Sequence, residues 1–287
     1  MFACHFIDTY PDFLRYWSEV QHRPLDEQIE GWENIYMRQY PELLAKQKED
    51  YSSQNIDWRQ IAREKVFPHL TSRLSAMHEA HKNLLEAGMP LYSRAQIVLD
   101  YKADMIFVLY VGIGCGAGWA TSFQDLPAIL FGLENIAECG WSNRQAISGL
   151  IAHELGHLTH YYWRNKSGKS NGSGPWWQLY AEGFAQRCES LIVGHDSFHQ
   201  TIKDKNWCDW CQNHKGLLAS EFIKTIDAGK PVSAFFGSWF DIQGRTETGY
   251  FLGQELVRTL EKDSSLKEIA LIDNAENNLK PILEKMI

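Results

Sequence analysis

Ile147–His160 reads ISGLIAHELGHLTH, and within it His153, Glu154 and His157 form an H-E-x-x-H pattern. On a helix, His153 and His157 are separated by about 40° of rotation and about 6 Å of rise, so both imidazoles leave one face and can hold one metal ion. Glu154 lies about 100° further round, beside such an ion rather than on it, where a general base for a metal-bound water belongs. The flanks predict a helix. Ser142 followed by Gln145 has the spacing of a capping box, and Ala146, Ile147, Leu150, Ile151, Leu155 and Leu158 supply apolar faces.

With 287 residues, 44% of them hydrophobic, the chain can bury a large core as one big domain or two closely packed subdomains. A formal charge of −8 argues against non-specific nucleic-acid binding and disfavours anionic membrane surfaces. The first residues, MFACHFIDTYPDF, contain neither a basic n-region nor an apolar h-region, so no signal peptide is expected. No run approaches the roughly 18 apolar residues of a membrane span. The six cysteines then read as reduced thiols, and a cytoplasmic location is expected.

Residues 1–92 are expected to form a helical N-terminal region that packs on the rest as a wall or lid. Helical spacing marks Asp8–Val20, Leu25 to about Glu49, and Trp58–Glu86. Residues 93–195 are expected to form the metal-binding subdomain. The period changes there, with strands predicted at Gln96–Asp100, Met105–Val111 and Ala128–Phe131. VGIGCGAG (residues 111–118) lacks the Gly-Lys-Ser/Thr ending of a phosphate loop and reads as tight turns. After the histidine helix, NKSGKSNGSGP (residues 165–175) reads as a loop long enough to be mobile, followed by a helix over Trp176–Val193. Residues 196–287 read as a helical C-terminal subdomain that closes a cleft, and no internal repeat is visible. The expected class is α+β, predominantly helical.

A hydrolytic metal site usually has three protein ligands and an open position. His160 shares the face of His153 but lies about 10.5 Å along the axis, too far to converge on the same ion. Glu182, inside the next helix and beyond a flexible connection, is the expected third ligand, and Glu189 is a weaker option. Two imidazoles and one carboxylate suit a single Zn2+ ion, although manganese, cobalt and nickel accept the same ligands.

HELGH with Glu182-Gly183-Phe184-Ala185 downstream resembles the gluzincin metallopeptidases. More narrowly, PAILFGLENIAE, HELGHLTH and YAEGFAQ resemble a bacterial family of uncharacterised zinc-dependent peptidases. The likeness covers roughly residues 105–190. It implies a two-lobed α+β fold with zinc in a cleft, a small sheet before the histidine helix, and peptide or protein substrates. In such enzymes Glu154 would activate the zinc-bound water and pass its proton to the leaving amine. A second donor would stabilise the oxyanion, and Tyr250, at the start of a predicted helix, is the candidate. Many gluzincins carry an aspartate one turn after the glutamate ligand, where it orients a histidine. Gln186 stands there instead, and its carbonyl would accept from an imidazole more weakly. Gly132-Leu133-Glu134-Asn135 resembles the G-x-M-E-N element of M1-type aminopeptidases, which implies that Glu134 binds a substrate ammonium, with Gly132 and Asn135 beside it.

The expected activity is therefore zinc-dependent peptide hydrolysis. Aminopeptidase and endopeptidase action are both open. The alternatives are a regulatory protease with one target, and a non-catalytic protein of the same fold that holds zinc or peptide. Cys208 and Cys211, with His214 nearby, lack a second C-x-x-C and read as inert thiols.

Overall fold

The computed structural model describes residues 2–201, 204, 206–237 and 241–287. In chain order it contains β1 (Cys4–Asp8), α1 (Tyr10–Val20), α2 (Leu25–Gly31), α3 (Pro41–Ser53), α4 (Trp58–Ile61), α5 (Leu70–Val98), β2 (Met105–Tyr110), β3 (Trp119–Phe123) and β4 (Leu126–Gly132). These are followed by α6 (Leu133–Cys139), α7 (Arg144–Lys166), α8 (Pro175–Val193), α9 (Trp207–Asn213), α10 (Lys215–Asp227), α11 (Ser233–Phe236), α12 (Thr248–Leu260), α13 (Leu266–Ala270) and α14 (Ala275–Glu284). The protein is mostly helical with one small sheet, an α+β architecture. Among the described residues no helix is long and apolar enough to cross a membrane. All six cysteines are free thiols.

The chain divides into two compact units, Met1–Tyr92 with Lys102–Ser148, and Ser93–Tyr101 with Gly149–Ile287. The division does not follow the three segments expected from sequence, because residues 1–92 share a unit with the sheet.

The first unit is built on a four-stranded sheet of order β1-β2-β4-β3. β1 and β4 both run parallel to β2, and β3 closes the edge antiparallel to β4. β2, MIFVLY, is buried along its whole length, as a strand flanked by parallel neighbours should be. β1 lies in the N-terminal region expected to be helical; its five residues are too few to show an alternation. The helices beside the sheet carry a feature that blurred their period. α2 passes into a π-helical turn at Trp32–Tyr36 and a 3-10 turn at Met37–Gln39, and α4 does the same at Ala62–Val66 and Phe67–His69. A π turn inserts a residue, so neighbours such as Tyr36 and Met37, or Val66 and Phe67, are buried side by side. The expected single helices over Leu25–Glu49 and Trp58–Glu86 are each broken there.

The strand expected at Gln96–Asp100 is instead the end of α5 and the turn that follows it. Tyr92, Ala95 and Leu99 are buried while Ile97 is 82% exposed, a helical rather than an alternating pattern.

In the second unit, α8 lies against α12 at a point where two glycines meet. A Cβ added at Gly183 would stand 2.2 Å from the carbonyl carbon of Gly253, and one added at Gly253 would stand 2.6 Å from the Leu179 oxygen. Around this crossing Leu179, Phe184, Cys188, Leu252, Leu256, Leu279 and Leu283 are buried. The Gln254 amide on α12 donates to the Gln186 carbonyl at 3.1 Å and to Ser190 Oγ at 2.8 Å. The connection between α7 and α8, long enough to be mobile, is anchored at Ser170. Arg164 donates through Nε to the Ser170 carbonyl at 3.1 Å and through Nη1 to the carbonyls of Ala270 and Ile272 at 3.0 and 2.8 Å.

Gly183→Ala should lower stability by roughly 3 kcal/mol, because backbone rather than a flexible side chain occupies the space. Thermal unfolding should shift down by roughly 6–12 °C. An unchanged melting temperature would mean that α8 and α12 separate without cost.

Candidate metal centre

α7 begins at Arg144, and its first turn is capped by Asn143, whose Oδ1 accepts from the Ala146 amide at 3.0 Å. The cap is not Ser142, as the spacing suggested; the Ser142 carbonyl accepts from Asn83 at 2.8 Å and its hydroxyl is buried without a partner.

Two turns into α7, His153, Glu154 and His157 are all buried, and the two rings approach Glu182 of α8. His153 Nε2 lies 3.2 Å from Glu182 Oε2, and His157 Nε2 lies 3.3 Å from the same oxygen. The two rings stand edge to face with centroids 4.9 Å apart. One coordinating atom from each of the three residues falls within 4.8 Å of the others. Metal–ligand distances of about 2.0–2.2 Å at tetrahedral angles put neighbouring ligand atoms about 3.3–3.6 Å apart, so this trio fits a zinc ion with little rearrangement. Glu182 retains 23% exposure, which leaves one side of the trio open to solvent.

A second trio, His153, Glu189 and His199, is also close enough to hold an ion. Its chemistry is different. Glu189 Oε2 accepts from Gln186 Nε2 at 2.8 Å and meets His199 Nδ1 at 2.8 Å, while Oε1 accepts from Ser197 Oγ at 2.6 Å and the His199 amide at 3.0 Å. Those lone pairs are already engaged, and all three residues are buried. Glu189 Oε2 also stands 3.6 Å from His153 Nδ1, an ionic contact just beyond hydrogen-bond reach. Glu189 is thus placed to orient His153 from behind, the role assigned by sequence to Gln186. The Gln186 carbonyl oxygen accepts from Gln200 at 3.2 Å instead, and its amide serves Glu189 and the Ser197 carbonyl.

Charge follows this arrangement. Burial works against a charged His153, but the carboxylates Glu182 and Glu189 facing its two nitrogens outweigh it and push the ring up to about 10. Burial would raise Glu182, yet His157 and His153 hold it well below the usual carboxylate range. Glu189, buried but facing His199 and His153, is held at about 2. Without a metal, the site is a ladder of imidazoles and carboxylates in mutual compensation.

Two tyrosines flank the trio. Tyr250, in the first turn of α12, stands edge to face with His153 at 5.7 Å. Tyr161, one turn beyond His157 on α7, lies parallel to the His157 ring at 6.3 Å, and burial with the nearby Glu154 and Glu182 carboxylates pushes its hydroxyl up to about 12. His160 belongs to the core: its Nε2 meets Tyr180 Oη and the Ala270 carbonyl at 3.2 Å each, and burial lowers it to about 3. The Cys208, Cys211 and His214 group forms no metal-capable cluster among the described residues, and His214 stacks on Trp210 at 4.3 Å.

Glu134 is placed differently from its expected role. It follows Gly132 at the start of α6, while Asn135 is only partly buried. The Glu134 side chain is fully buried in the first unit, with Oε1 accepting from the Gly114 amide at 3.2 Å. A carboxylate sealed beneath the 111–116 loop offers no open face to a substrate ammonium. Burial outweighs the amides of Gly112, Glu134 itself and Gly114 that favour its ionised form, raising it to about 7.

Comparison with protein-family models, with curated proteins and with solved structures finds no significant match. The chemistry is therefore read from these side chains alone. Sequence reasoning missed His199 and Tyr161 and undervalued Glu189. Tyr161 was accessible, since His153, His157 and Tyr161 follow one helical face at intervals of four. His199 reaches the site through a turn that no periodicity marks.

Because the folded carboxyl of Glu134 titrates above its ordinary 4.5, its ionisation opposes folding. The associated stability is complete below about pH 4.5 and is lost as pH rises through about 7, on the order of 3 kcal/mol in all. Chemical denaturation at pH 5 and pH 8 should show this loss in the wild type and a flatter profile in Glu134→Gln. Parallel profiles would mean that the carboxyl ionises as freely folded as unfolded.

Proposed function

We propose that the protein is a zinc-dependent peptidase of gluzincin type, with His153, His157 and Glu182 as the metal ligands. The carrying observation is the convergence of two imidazole nitrogens on one Glu182 oxygen at 3.2 and 3.3 Å, with a solvent-open side and a further carboxylate, Glu154, on the same helix. When bound there, zinc supplies Lewis acidity, making a water easier to deprotonate and a carbonyl easier to attack. The two-lobed arrangement of that enzyme class and a cytoplasmic location belong to the same proposal.

The chain's own groups divide the remaining work. Glu154 is the general base: its carboxylate takes a proton from the attacking water and returns it to the departing amine. Glu154 is buried beside His153 and Tyr161, which shields the proton it carries from bulk solvent. Glu189, held by four donors, faces His153 Nδ1 and thereby favours the tautomer whose Nε2 lone pair points toward Glu182 and the ligand position. Tyr250 packs on His153 and Tyr161 on His157, and their hydroxyls are the candidate donors to an oxyanion developing on the scissile carbonyl. Peptides or proteins are the substrates, and the fully buried Glu134 weighs against an ammonium-anchored aminopeptidase among them.

Glu154→Gln should keep one bound zinc per chain by elemental analysis while peptide hydrolysis falls by roughly 10²–10⁴-fold. A variant that cleaves as well as wild type under metal-limited conditions would remove Glu154 from the mechanism. Glu182→Ala should lose the zinc itself. Glu189→Gln should weaken zinc affinity by roughly 10–100-fold in a competition titration with a chelating dye. Undiminished affinity there would show that His153 needs no orienting carboxylate.

A further inference from the structure

The second unit contains a cavity of about 550 Å³ that opens on His157 and Glu182. Tyr161, Pro175, Trp177 and Val232 give it apolar lining. One cation lines it, Lys230. Three observations bear on what this lysine can do. It makes no ion pair among the described residues, on a protein of formal charge −8. Its backbone is fixed by the end of α10: Gly229 adopts φ +64°, its amide donates to the Ile226 carbonyl at 2.8 Å, and the Lys230 amide donates to the Thr225 carbonyl at 3.0 Å. That double bond is a Schellman motif, and Pro231 stiffens the next step. Finally, the only carboxylate lining the cavity is Glu182, which already faces two imidazoles.

We propose that this cavity takes a segment of peptide that combines a bulky apolar side chain with a carboxylate, the side chain against Tyr161, Trp177 and Val232 and the carboxylate on Lys230. The assignment deepens the peptidase reading and rests on it, because the cavity matters to catalysis only as the place where substrate lies beside the ligand trio. Apolar walls give affinity without direction, and one cation on a fixed stretch of backbone supplies the direction. A carboxylate there has two sources, the free C-terminus of a short peptide or the side chain of an acidic residue next to a bulky one. An acidic protein repels anionic peptides at long range, so a single unpaired lysine at the binding position selects among them strongly.

Binding is measured by calorimetry on the full-length, metal-free protein, which removes direct ligation of a carboxylate to zinc. The probes are acetyl-Ala-Ala-Phe as free acid, the same peptide as its C-terminal amide, and acetyl-Ala-Phe-Glu amide. Wild type should bind at least one carboxylate-bearing probe about tenfold more tightly than the neutral amide, and which one identifies the source. Lys230→Met should cut that preference to threefold or less, and Lys230→Glu should reverse it; the residue is exposed on a turn, and circular dichroism of both variants checks that the fold is kept. Equal binding of all three probes by wild type, or a preference that survives Lys230→Met, would overturn the assignment. The two readings fail separately. Lys230-dependent binding by a protein that, loaded with zinc, cleaves no peptide would overturn the peptidase reading and leave the cavity assignment standing. Cleavage with no preference for carboxylate-bearing probes would do the reverse.

Discussion

His153 is held between two carboxylates, Glu182 at Nε2 and Glu189 at Nδ1, and much of the second unit is arranged to make that tolerable. A buried imidazole–carboxylate group costs several kcal/mol in desolvation unless each charge is met. Here Glu189 is met by Gln186 from its own helix and by Ser197 and His199 from the turn after α8. Gln186 is itself fixed by Gln200 and, through its carbonyl, by Gln254 of α12. The polar chain therefore runs from the candidate ligands through α8 to α12. It can be this tight because glycines at 183 and 253 let those two helices touch backbone to backbone. Packing and electrostatics are one constraint here: moving α12 outward would strip a hydrogen bond from the residue that orients Glu189.

The histidine pair and Glu154 were legible because they obey helical geometry inside one element. Glu182 was legible for a similar reason, lying on a well-marked helix at a distance that lets the two helices cross. What the sequence did not reveal depends on contacts between elements. Glu189 and Gln186 occupy neighbouring turns of α8, and nothing local says which of them faces His153; that is set by the rotation of α8 against α7. His199 sits in a 3-10 turn with no pattern of its own. In the first unit the helical period was read correctly in kind but not in extent, since the π turns at Trp32–Tyr36 and Ala62–Val66 shift the buried face by one position. β1 is five residues with mixed burial, and only its pairing with β2 makes it a strand.

Glu134 and Glu182 show how the same functional group becomes scaffold in one place and candidate ligand in another. Glu134 is met by backbone donors on Oε1, while its Oε2 is buried without a partner. The amides of the 111–116 loop point at it, and that loop is held from outside by Trp32 on the Val111 carbonyl, Tyr51 on the Ile113 carbonyl and Gln47 on the Ile113 amide. A carboxyl met by fixed N–H groups has its lone pairs aimed at protein and serves to set the path of the backbone. Glu182 meets no amide in this way. Its Oε2 faces two imidazole nitrogens that are themselves acceptors whenever their protons lie on Nδ1, so in that state three lone pairs point at one small volume. Like acceptors repel, and such a cluster persists only with a shared cation, whether protons on the rings or a metal among them. The raised His153 and lowered Glu182 are the proton-bound form of that requirement. A divalent ion would meet it with more charge, and the partly exposed side of Glu182 is open to solvent. It is this convergence of acceptors, more than the presence of a five-residue pattern, that separates a candidate metal centre from two histidines on a buried helix.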